Sequence, residues 1–127
     1  MKALILTVLA LLVAIGAFAQ QAPATPLTKP FADIPGKEGT LLTVELAPGA
    51  SSQVHRHDAH VFVYVLEGQV IMQVAGAAAQ TLGPGHTFYE SPADVHTVSR
   101  NASASAPAKF LVFMVKNVGA PISVPAK

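Results

Sequence analysis

Apolar residues in this chain recur at every second position from about Thr40 onward, and no segment beyond residue 19 holds them at every third or fourth. That period suits strands, whose side chains alternate between two faces, and excludes amphipathic helices. In Leu41–Ala47, Leu42, Val44 and Leu46 share one face, with Thr43 and Glu45 on the other. Val61–Leu66 is rich in β-branched and aromatic residues. Glu67-Gly68 turns it back into Val70–Val74, which predicts a hairpin. Short strands follow at Thr87–Glu90 and Val95–Arg100, and a buried one at Phe110–Val115. Pro48-Gly49, Gly83-Pro84-Gly85 and the Ala/Ser-rich stretch 101–107 separate these elements. Many short strands punctuated by Gly and Pro predict an all-β sandwich or barrel.

The first 19 residues read differently. Met1-Lys2 is a short positive start, Ala3–Ile15 is apolar except for Thr7, and Ala17-Phe18-Ala19 presents small residues to a signal peptidase. This predicts a signal peptide cleaved after Ala19 and a secreted or periplasmic product. A retained membrane anchor is the competing reading, but the apolar run is short of the ~20 residues a span needs. The expected organisation is then a signal peptide 1–19, a proline-rich segment 20–39, a barrel domain 40–118 and a tail 119–127. Residues 20–30 read as an extended tether, with pairing to a barrel edge near Leu27–Phe31 as the alternative. Loss of Lys2 leaves seven basic and seven acidic residues, so no basic footprint for nucleic acid exists. With no cysteine in the chain, disulfides, thiolate metal sites and cysteine nucleophiles are excluded.

Three of the five histidines fall within six residues, His55, His57 and His60; the others are His86 and His96. On a strand His55 and His57 face the same way and can share one metal ion at about 2.0–2.1 Å each. Two exposed histidines on an edge strand are the bland alternative. The surrounding spacings decide the weighing. Gly49, five residues, His55-Arg56-His57, and then Val63-Tyr64-Val65-Leu66-Glu67-Gly68 resemble the first motif of the cupin family. Gly85, five residues, Ser91-Pro92-Ala93, two residues and His96 resemble its second. Ser91 and Ala93 stand where the family usually has Pro and Gly. Its Asn, four residues after the His, is Arg100 here, with Asn101 one place later.

The resemblance covers about Thr40 to Val115. It implies an antiparallel jelly-roll β-barrel whose ligands to a divalent transition metal (Fe, Mn, Ni, Cu or Zn) are His55, His57 and His96. The family often adds a Glu seven residues before the motif glycine, and that position is Val61. His60, beside it, is one candidate to complete the set, although alternation with Val61, Val63 and Val65 points it outward. Glu90 is the other, as ligand or catalytic base, against the alternative of an edge carboxylate. Three histidines and water form an acceptable shell as well. His86, after a turn glycine, reads as exposed and structural. Phe62, Tyr64, Phe88, Tyr89, Phe110 and Phe113 read as core or dimer-face residues.

Two functions follow from the resemblance. One is a metal-dependent oxidation of a small organic molecule, as in the quercetinase-like dioxygenases of the family. The other is metal or small-ligand binding without turnover. A metal-free structural barrel fits the histidine spacing least well. A homodimer is expected, with Phe62 and Tyr64 on the shared face, and no membrane contact once the leader is removed.

Overall fold

The computed structural model describes residues 24–126, so the expected signal peptide lies outside the described residues. These fold into ten strands with no helix: β1 (Leu27–Pro30), β2 (Lys37–Leu46), β3 (His55–Arg56), β4 (Ala59–Glu67), β5 (Val70–Val74), β6 (Gln80–Leu82), β7 (Thr87–Glu90), β8 (Val95–Asn101), β9 (Ala108–Asn117) and β10 (Val124–Pro125). They form two antiparallel five-stranded sheets, ordered β1-β2-β9-β4-β7 and β10-β3-β8-β5-β6. Chain neighbours such as β4 and β5 fall in different sheets, the crossing pattern of a jelly roll.

Alternation places the core. In β4 the residues Ala59, Val61, Val63 and Val65 are buried, whereas His60, Phe62, Tyr64 and Leu66 are exposed. Phe110, Val112 and Met114 of β9 lie beside them, and Val70, Met72 and Leu82 meet them from the second sheet. Val65, Val70 and Met72 are fully sealed from solvent. The β4–β5 turn depends on Gly68, at φ +70°, where a Cβ would lie 2.5 Å from the carbonyl oxygen of Pro107. Any side chain there meets both backbone strain and a backbone clash.

Both flanks of the expected barrel domain join the sheets. The strand begins at Lys37 rather than Thr40, and the proline-rich segment contributes β1, which pairs Leu27 with Leu41 and Pro30 with Glu38. Gly39 makes the room: a Cβ at this position would sit 2.7 Å from the ring of Phe31. On the other flank the expected tail supplies β10, which pairs Val124 with Arg56 and Pro125 with His55.

Candidate metal centre

Backbone pairing explains how residues forty positions apart meet. His55 of β3 lies directly opposite His96 of β8, and paired residues of antiparallel strands project to the same face. His57, two residues on, joins them. The ligating nitrogens of His55, His57 and His96 all lie within 4.8 Å of one another. The His55 and His57 Nε2 atoms are 3.1 Å apart. Two nitrogens bound to one metal at ~2.05 Å would be separated by about 2.9–3.4 Å.

The ring orientations are set by backbone carbonyls. His55 Nδ1 lies 2.7 Å from the Gln53 oxygen, and His57 Nδ1 lies 2.6 Å from the Ile122 oxygen. A carbonyl only accepts, so both Nδ1 atoms carry the proton and both Nε2 atoms present lone pairs. Lone pairs facing at this distance repel unless a cation lies between them. Burial lowers the His55 pKa below its usual 6.5, opposed by the Gln53 bond and the charge of Glu90 and assisted by His57 and His96. The imidazole therefore stays neutral, as a metal ligand requires, to lower pH than usual.

Glu90 lies against this cluster of three histidines. It sits on β7 opposite Val61 of β4, so its side chain enters the barrel beside the place where a ligand carboxylate at Val61 would start. It is 2% exposed. Its Oε1 is 3.2 Å from His96 Nδ1 and its Oε2 is 3.8 Å from His57 Nε2. Both ring nitrogens of His96, and Glu90 Oε1, are buried without a hydrogen-bond partner. Native proteins rarely leave such atoms orphaned. Three converging imidazoles, with a carboxylate beside them and donor atoms still unsatisfied, fit a divalent transition metal. Phe88 stacks on His96 at 5.7 Å between ring centres and supports it from behind.

His60 is corrected as a ligand candidate. Its β4 position faces outward, and its Nδ1 pairs with the Tyr89 hydroxyl at 2.7 Å. His86 is exposed and accepts a bond from the Gly83 amide at 2.9 Å, a turn contact. Arg56 and Asp58 form an exposed pair outside the cluster.

Asn101 has a separate task. Its amide nitrogen donates to the carbonyls of Leu46, Ala47 and Ala106, fastening two loops. Sequence reasoning missed the Ile122 carbonyl, because no side-chain pattern announces a backbone acceptor. It also left Phe88 among general core residues, although its place two positions before Glu90 puts both on one face.

The cluster opens onto a cavity of about 360 Å³. Val63, Met72, Phe110 and Met114 are among its buried walls, while the exposed residues Gln53, Val54, Ile122 and Ser123 mark its solvent end. Among the described residues, Glu90 is the only carboxylate in the lining, and no lysine or arginine reaches it.

A family model described as "Cupin domain" matches residues 42–114. No curated protein matches the chain. Among solved structures, similarity extends to the DMSP lyase DddQ from Ruegeria pomeroyi, with 19% identity, TM-score 0.58, and coverage of 72% of this chain and 43% of that one. An oxalate oxidase in complex with the substrate analogue glycolate is 18% identical, at TM-score 0.56, covering 70% of this chain and 45% of the oxidase. An uncharacterized conserved protein with a double-stranded β-helix domain from Klebsiella pneumoniae is 17% identical at TM-score 0.56, covering 85% and 90%. The chain thus spans less than half the length of the lyase and the oxidase, and at these identities the likeness speaks for the fold.

Proposed function

Because the chain belongs to the cupin family, with the domain model spanning residues 42–114, we propose that it is an exported metal-dependent enzyme that oxidises a small organic molecule with oxygen. The observation that carries this reading is the convergence of His55, His57 and His96 in an apolar cavity, with Glu90 against His96. Bound by these residues, a divalent transition metal supplies Lewis-acid polarisation and, where redox-active, electron exchange with oxygen. The chain's own groups do the rest. Carbonyl-locked His55 and His57 hold their lone pairs inward, and Phe88 fixes the plane of His96. Glu90, whose carboxylate reaches the chamber, is the group that can also accept a proton from a substrate oxygen or carbon acid.

Export rests on the leader pattern ending at Ala19. N-terminal sequencing of the mature protein should begin at Gln20.

Elemental analysis of untagged protein tests the site. We expect about one equivalent of transition metal in the native chain and none in His57→Ala or His96→Ala, both of which keep the β-sheet spectrum. Full metal content in either variant refutes the assignment. Oxygen uptake across a panel of enediols, flavonols and diketones then separates an enzyme from a binding protein. Metal retained with no uptake by the iron, manganese, nickel or copper form moves the reading to ligand binding.

A further inference from the structure

Beyond residue 114, where the family match ends, the chain returns to the site. β9 closes at Asn117, and the turn that follows is held by a buried ion pair of Glu38 with Lys116. The Gly119 amide donates to Glu38 Oε1 at 3.1 Å, and Lys116 Nζ donates to the Ala120 carbonyl at 2.7 Å. Two residues later the Ile122 carbonyl accepts the His57 Nδ1 proton. Val124 and Pro125 pair with Arg56 and His55, and the Ala126 amide donates to the Val54 carbonyl at 3.3 Å. Ile122, Ser123, Val124 and Pro125 all line the cavity. A segment tied at its start by a buried charge pair and at its end to the His55 strand has one course across the site.

We infer that residues 119–126 form a strap belonging to the metal centre, in which the Ile122 carbonyl is the positioning group for His57 and residues 122–125 are one wall of the ligand chamber. The inference rests on the metal-binding reading above. The reason is chemical. A hydrogen bond from the far ring nitrogen of a metal-ligating histidine fixes its tautomer and aim, and losing such a partner typically costs 10–100-fold in affinity. His55 takes its partner from Gln53, on the adjoining segment. His57 takes its partner from a residue 65 positions away, so its orientation depends on the strap being docked.

Two variants separate carbonyl from side chain. A chain ending at Ala120 keeps the Lys116 contact and loses the strap. Ile122→Ala keeps the carbonyl and removes only the wall. Zinc and cobalt(II) affinities are measured by chelator competition, together with the visible spectrum of the cobalt form. We expect the shortened chain to bind roughly 10–100-fold more weakly with an altered spectrum, and Ile122→Ala, which keeps the carbonyl, to lose far less and to keep the native spectrum. Native affinity and spectrum in the shortened chain overturn the strap, as does a loss in Ile122→Ala equal to that of the truncation.

Should the shortened chain fail to fold, long-range proton–nitrogen NMR of the intact metal-free chain decides: His57 carries its proton on Nδ1 if the strap is right and on Nε2 if it is wrong. An intact chain that takes no metal sinks the metal-binding reading, while the NMR result still judges the strap.

Discussion

Glu90 shows the tension in the site most sharply. A carboxylate at 2% exposure with an unpartnered oxygen destabilises the metal-free fold. Its side chain is buried because β7 alternates, burying Phe88 and Glu90 and exposing Thr87 and Tyr89. Replacing an unpartnered buried carboxylate with a hydrophobic residue of similar volume removes that desolvation cost. Glu90→Leu should therefore unfold at higher urea than the native chain when both are metal-free. With zinc or manganese present the order should reverse, because a ligand that binds only the folded state adds stability in proportion to its affinity. Paired urea titrations with and without metal check this. An unchanged ranking in the two conditions would show that the carboxylate takes no part in holding the ion. The sequence raised Glu90 as a candidate but could not choose its face, since Phe88 and Tyr89 leave the phase of a four-residue strand ambiguous.

Strand phase also explains what else is and is not legible in the sequence. β4 is legible because five residues of alternation, Val61 to Val65, are enough by themselves to turn His60 outward, as the fold does. β8 is not, because its phase changes midway. Its pairing with β5 shifts between Gln73 and Val74, opposite Val98 and His96. One extra residue is accommodated there, so His96 faces inward on an even position while Ser99 and Asn101 face inward on odd ones. This is the physical reason that Asn101, rather than residue 100, does the inward work of binding three backbone carbonyls. β10 is illegible for a different reason: two residues carry no period, and its docking depends on Glu38 and Lys116, far apart in sequence. That pair offers a pH test. The hydrogen bond from Lys116 lowers the Glu38 pKa below 4.5, burial opposing it and the Gly119 amide adding to it. A depressed carboxylate stabilises the fold above its unfolded value, and the contribution is lost as pH falls through the folded one. Stability should thus fall with acidification below about pH 4.5, and this component should be missing in Glu38→Gln. Urea midpoints at several pH values measure it; identical slopes for both chains would remove Glu38 from the account.

At the scale of the whole molecule the two sheets have unlike outer faces. The sheet containing β4 and β9 turns Phe62, Tyr64, Tyr89 and Phe113 to solvent at 37–49% exposure. Three of these rings already neighbour one another, Phe62 lying 5.2 Å from Tyr89 and 6.4 Å from Phe113 between centres. Leu41 and Leu66 extend the patch, and its charges are at the border, where Lys109 meets Glu45 at 3.1 Å. A contiguous apolar face of this kind is unusual on a monomer. A second copy is the occupant we propose. An uncharged centre carries no pattern that opposes its own image across a twofold axis, and a chain of net charge +1 repels its copies little. The cavity with its histidines lies inside the barrel, so pairing through this face leaves its solvent end, at Gln53 and Ile122, free. Light scattering should give the mass of a dimer for the native chain. Phe62→Glu combined with Tyr64→Glu should give a monomer with the same β-sheet spectrum and the same metal content, because both side chains project away from the core. A native monomer would end the proposal, and loss of metal from the double variant would show that the outer sheet face and the metal centre are coupled rather than independent.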